Sequence, residues 1–228
     1  MLRTTLTIFL FVLGLASKSQ VINNKDTILL LNGKTIACDI LETDDFITQY
    51  QFSKKNGKIK SRFADNTNVF ELQFAQKKDT VLYFQDTLIG NELTLPEMRN
   101  FVYGEKDARN RYKTHWYFVG GAALGFTSVL LDTYLYPKEA NIIGENPGPF
   151  KVSPSVFPII VPFAYTLSVG LPKTRLKRKH ISYWDLRNDE FYQRGFEKVA
   201  RQKRIFAALE STLGGMALGY ICYFIFRP

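Results

Sequence analysis

The apolar residues of this chain are gathered into blocks near residues 4–16, 116–131, 156–171 and 205–226, and that clustering limits its fold more than anything else. A helix needs about 20 apolar residues to cross the roughly 30 Å of hydrocarbon in a bilayer. The last three blocks approach that length, and the first falls short of it. A chain of 228 residues therefore has room for one small soluble domain plus a helical membrane module. Charge is segregated as sharply. Lys and Arg exceed Asp and Glu by seven over residues 172–204, against an excess of nine for the whole chain. Residues 20–95 hold nine basic and ten acidic side chains, so the basic character belongs to one loop.

Residues 1–20 have the order of a secretory signal. Arg3 is the positive region, Leu6 to Ala16 are the apolar stretch, and Ser17 and Ser19 supply small residues at −3 and −1. A signal peptide over 1–19 is expected, with an uncleaved anchor helix as the alternative. No cysteine follows, which argues against a lipoprotein anchor. Cys38 and Cys222 lie in segments of opposite character, and no disulfide between them is expected.

From Thr27 to Gln85 the pattern has period two and is punctuated by turn dipeptides. Thr27–Leu31 leads into Asn32-Gly33, and Lys34–Glu42 follows as a longer strand. Phe46–Ser53 runs to Asn56-Gly57, and Lys58–Phe63 returns from it. Val69–Phe74 reads as a half-buried strand and Thr80–Gln85 as the last. Closure into a small barrel over residues 20–93 would remove the exposed edges of so small a sheet. The fold class expected is α+β, a strand-rich barrel followed by a helical membrane module.

The stretch Leu-Leu-Asn-Gly-Lys-Thr-Ile-Ala-Cys-Asp-Ile with the following Asp-Asp-Phe-Ile-Thr resembles the Sm-like small barrel. The pair Val-Phe-Glu-Leu-Gln-Phe and Asp-Thr-Val-Leu-Tyr-Phe fits the same scheme. The whole layout, with Tyr-Gly-Glu-Lys-Asp-Ala-Arg and later Tyr-Gln-Arg-Gly-Phe-Glu-Lys-Val-Ala-Arg, resembles uncharacterised envelope membrane proteins of Bacteroidota. The resemblance implies an architecture and carries over no catalytic residue. Sm-like barrels often bind RNA, but phosphate binding needs a basic face, which residues 20–95 lack.

Thr94-Leu-Pro-Glu97 is a capping-box signature that opens a linker helix within 94–114, weakened midway by Gly104. The membrane module is expected over 115–228. Its first span, 116–136, is flanked by Trp116 and Tyr117 at one end and Tyr134 and Tyr136 at the other, as aromatic belts are. Gly121 and Gly125 stand four apart there, as Gly215 and Gly219 do in the last block, so these glycines are candidate helix-packing positions, within the chain or between copies of it. Asp132 and Glu210 are the candidate intramembrane polar residues. Pro154, Pro158, Pro162 and Pro172 interrupt the middle block, which is read as a kinked span, a half-helix or a surface segment, after a loop at Gly144–Pro149. Lys173, Arg175, Lys177, Arg178 and Lys179 form a dense run beside it, the expected contact with anionic lipid head groups. Asn188–Arg204 is read as a separate amphipathic helix.

Sidedness is contested within the sequence. A cleaved signal exports residues 20–95, while the positive-inside rule holds 172–204 in the cytoplasm. Either the proline-rich block does not cross, leaving two spans, or the first segment is retained and the barrel is cytoplasmic. The first arrangement is preferred, with the barrel periplasmic and the protein in the bacterial inner membrane. His115 and His180, the only histidines, have no metal-ligand neighbours in sequence, and no phosphate loop or nucleophile elbow is present. No catalytic, cofactor or metal site is therefore expected. The expected role is a non-enzymatic scaffold or accessory subunit whose barrel binds an envelope protein. A transport component using Asp132 and Glu210 is one alternative, and an RNA-binding cytoplasmic barrel is another.

Overall fold

The computed structural model describes residues 25–54, 56–135 and 155–226; the expected signal segment, Tyr136 and the Gly144–Pro149 loop lie outside them. Strands β1 (Asp26–Leu30), β2 (Thr35–Thr43), β3 (Ile47–Ser53), β4 (Ile59–Asp65), β5 (Val69–Gln73) and β6 (Thr80–Val81) form one sheet ordered β4-β3-β2-β1-β5-β6. Every neighbouring pair is antiparallel. Gly33 and Gly57 turn the first and third hairpins with φ of +72° and +75°, where a Cβ would be strained.

The sheet is open, which corrects the expected closed barrel. β4 and the two-residue β6 stand at the two ends of the sheet and do not pair with each other. Side chains draw the ends together instead. In the β4–β5 turn, Asn66 Nδ2 donates to the Asp44 carbonyl at 2.7 Å and Oδ1 accepts from the Thr48 hydroxyl at 2.7 Å. Ile28, Cys38, Tyr50, Val69 and Leu72 pack on one face. Burial pushes the Cys38 thiol up to about 11. Leu29, Phe70 and Tyr83 pack on the other against Val102 of the first helix, so β5 is buried on both faces from Val69 to Leu72, not half-buried.

The helices are α1 (Leu95–Arg111), α2 (His115–Leu135), α3 (Phe157–Gly170) and α4 (Glu190–Phe226). At the start of α1 the Thr94 amide donates to Glu97 Oε2 at 2.8 Å, and that bond holds the Glu97 carboxyl below its usual range. Its end is closed by a cation. Lys203 Nζ donates to the carbonyls of Ala108, Arg109 and Tyr112; the first of these also accepts the Tyr112 amide. α4 has 37 residues, about 55 Å at 1.5 Å per residue. The amphipathic segment and the last apolar block are thus one helix, because residues 202–208 hold good helix formers and no breaker.

α1 and then α2 lie along α4, running in its direction. Gly195 meets Phe101 and Gly104 meets Tyr192 and Phe196; further on, Gly121 meets Ala208 and Ser211, and Gly219 meets Val129. Two successive helices parallel to a third require a return, and α3 supplies it. Ser155 sits beside Asp132, the Tyr165 hydroxyl donates to the Tyr117 carbonyl at 3.0 Å, and Gly170 touches Ile205. The strap of residues 171–189 then packs on α1 and α4, and α1 also packs on the sheet through Val102. The sheet and the basic loop therefore share one end of the helical body.

Candidate functional site

The strap is fixed by four anchors. The Ser182 amide donates to Asp107 Oδ2 at 2.6 Å, its hydroxyl donates to Oδ1, and the Tyr192 hydroxyl donates to Oδ2 at 2.5 Å. Glu197 accepts from the Thr174 amide at 2.7 Å and pairs with Arg204 Nη2 at 3.0 Å. Tyr183 stacks on Tyr103 with ring centroids 4.8 Å apart, and His180 packs against Tyr112 and Phe196. Burial and the neighbouring lysines hold the His180 imidazole below its ordinary pKa, and burial raises the Tyr112 and Tyr192 phenols.

With the backbone pinned, Lys173, Arg175, Lys177, Arg178 and Lys179 all point to the surface. Four of them line one cavity of about 420 Å³ with Lys113, Trp116, Tyr117 and Arg204. Arg178 does not join them; its guanidinium lies 5.9 Å from the Trp184 ring centroid. Arg204 and Lys113, which complete the group, were not singled out in the sequence. Both had a signal, since they flank the apolar blocks that begin at 116 and 205.

Below this collar the outward-facing side chains of the helices are large and apolar, among them Phe118, Val119, Phe163, Leu167, Leu218 and Phe224. The interior holds Ser128, Asp132, Thr133, Ser211 and Thr212 beside Val129, Ala208 and Tyr223. Gly121, Gly125, Gly215 and Gly219 all lie at the contact of α2 with α4, where a Cβ would overlap the partner backbone or, at Gly121 and Gly219, a side chain. Asp132 is buried and occupied. It accepts the Ser155 amide at 2.6 Å and the Ser155 hydroxyl at 2.5 Å, which ties the start of α3 to α2. Glu210 is exposed and is not brought near Asp132, since α4 places it level with the start of α2. Its Cα–Cβ bond tilts toward the helix N-terminus, which is the collar side. Among the described residues, one helix, α4, is long and apolar enough to cross a membrane by length and composition.

Glu105 is a second buried acid that the sequence left among the surface charges of α1. It is fully buried beside Gly33, where a Cβ would clash with it, and Lys198 Nζ lies 2.8 Å from Oε1. That contact balances the charge without hydrogen-bond alignment, and Oε2 has no hydrogen-bond partner. Among the described residues no group of three His, Cys, Asp or Glu side chains is placed to hold a metal ion. Cys38 and Cys222 are both free. No protein-family model, curated protein or solved structure matches this chain.

Proposed function

We propose that this chain is a non-enzymatic membrane-anchored scaffold or accessory subunit of the bacterial cell envelope. The observation that carries the reading is the helical body's large apolar outward face, packed on an interior of small, polar and apolar side chains, which is not the pattern of a surface facing water. α2 and the apolar part of α4 are each about 30 Å long, the thickness of a bilayer core. The collar then lies at head-group level and contacts anionic lipid.

The sheet domain is the part offered to a protein partner. Phe46 and Phe84, 80% and 61% exposed, flank a groove of about 490 Å³ backed by Val69, Leu82 and Tyr83. Beside it β4 is an unpaired edge carrying exposed Ile59 and Phe63. Exposed apolar surface next to a free strand edge suits a partner that adds a strand. The signal-like segment 1–19 favours the periplasmic face of the inner membrane for this domain. A second orientation, sheet and collar both cytoplasmic, is favoured by the collar's seven-charge excess. A transport path finds no support in Asp132 and Glu210, which stand apart.

A photo-crosslinking residue at Phe63 tests the partner surface in intact cells. A discrete adduct in the carbonate-resistant membrane fraction is expected from position 63 and none from Lys77. Adduct from neither position, or recovery of the chain in the carbonate supernatant, would contradict the reading.

A further inference from the structure

We infer that the collar cavity is a binding site for the head group of a membrane lipid carrying at least two negative phosphate charges, either a phosphomonoester or two linked phosphodiesters. The inference rests on the membrane reading above and adds a defined ligand to it.

The first argument is charge. Lys113, Lys173, Arg175, Lys177, Lys179 and Arg204 line the cavity, and no acidic side chain does. Glu197, outside the lining, is committed to Arg204 Nη2 and the Thr174 amide, which balances Arg204 and leaves the other five cations. A singly charged diester would leave most of this cluster unbalanced, and Arg and Lys together suit a phosphate that accepts several charge-assisted bonds.

The second argument is unsatisfied polarity. Six side-chain atoms of the described residues are shielded from water with no hydrogen-bond partner within the protein. Three of the six, Arg204 Nε, Thr174 Oγ and His180 Nδ1, belong to residues lining this one cavity. Arg204 is only 2% exposed; its Nη2 is paired with Glu197 and the Pro172 carbonyl, and Nε alone is left without a partner. Buried polar groups in folded proteins are nearly always paired, so three unpaired atoms shielded within the wall residues of one cavity set that wall apart, while the exposed Lys173, Arg175, Lys177 and Lys179 present the charge a ligand would meet.

The third argument is depth. Trp116, 86% exposed, and Tyr117 line the cavity in the first turn of α2, where the apolar block begins, as aromatic side chains do at a bilayer interface. Exposed Leu167 of the adjoining α3 and Leu171 directly after it offer apolar surface to acyl chains. A volume of about 420 Å³ is ample for a head group and too small for a whole lipid. The position selects a lipid over a soluble phosphate.

The test uses the full chain reconstituted into phosphatidylcholine vesicles doped with phosphatidic acid, cardiolipin or phosphatidylglycerol at equal total negative charge. Lipid retained on the protein is read by native mass spectrometry after gentle extraction. Preferential retention of phosphatidic acid or cardiolipin over phosphatidylglycerol is expected. Arg175→Gln and Lys177→Gln, both at exposed positions, should each weaken retention about fivefold, from roughly 1 kcal/mol per cation near a surface. Arg194→Gln, a cation outside the cavity, should leave it unchanged. Equal retention of all three lipids, with Arg194→Gln as damaging as Arg175→Gln, would overturn the site in favour of diffuse attraction. Displacement of lipid by millimolar inorganic phosphate would overturn the lipid assignment. Failure of the chain to float with any vesicle would instead sink the membrane reading itself.

Discussion

Asp107 and Asp132 do the same job at opposite ends of the helical body. Each carboxylate accepts both the amide and the hydroxyl of one serine, Ser182 in the strap and Ser155 ahead of α3, and so pins an irregular segment to a helix. The sequence marked Asp132 by its place in an apolar block. It could not reveal Ser155, 23 positions away, because a hydrogen bond between distant segments leaves no periodic trace. Asp107 and Glu105 were hidden for a different reason, since a helix rich in charge reads as solvated until its partners are known. Burial raises the Glu105 carboxyl above its ordinary value, with Lys198 opposing. The folded state then holds that proton more tightly than the unfolded one. Glu105 should therefore add stability as pH falls from neutral toward the unfolded carboxylate value of about 4.3. The expected result is that Glu105→Gln melts at or above wild type at pH 7, and that its advantage shrinks on acidification to pH 5. Thermal unfolding of the two proteins across that range checks it. A wild type that loses ground to Glu105→Gln as pH falls would mean the Lys198 pair outweighs burial.

At the scale of elements, α4 organises the molecule. One helix carries an amphipathic half that packs on α1 and an apolar half that packs on α2, and glycines set both approaches. Adjacent Gly214 and Gly215 separate packing from helix propensity. A Cβ at Gly214 meets nothing within 4 Å, while one at Gly215 runs into the Ala122 backbone. Gly214→Ala should be neutral or stabilise by up to about 1 kcal/mol, as alanine does within a helix. Gly215→Ala should cost about 1–3 kcal/mol by overpacking. Unfolding by sodium dodecyl sulfate in mixed micelles measures both, and equal effects would contradict the α2–α4 contact. The four-residue glycine spacings were legible because close helix approach depends on them. The fusion of 188–204 with 205–226 was not, because the change from amphipathic to apolar looked like a boundary while the backbone had no reason to break. Sheet closure failed as an expectation because the last strand, read as Thr80–Gln85, is only Thr80–Val81 and does not pair with β4 at the far edge.

For the whole molecule, the decisive feature is direction. α1 and α2 run with α4, α3 runs back, and the sheet and the basic strap meet at the same end of the helical body. The conflict between exported domain and positive loop, read as two separate placements, becomes a single choice of face for both. That shared face is the central claim, and one labelling experiment tests it. Single cysteines at Lys77 in the sheet domain, Lys177 in the strap and Phe226 at the end of α4 would each be placed in a Cys38→Ser, Cys222→Ser background. Intact cells would be probed with a maleimide that enters the periplasm and does not cross the inner membrane. The expected result is that 77 and 177 behave alike, both labelled or both protected, with 226 opposite to them. Labelling of both would place that face in the periplasm and protection of both in the cytoplasm. Labelling at 77 with protection at 177, or the reverse, would contradict the fold described.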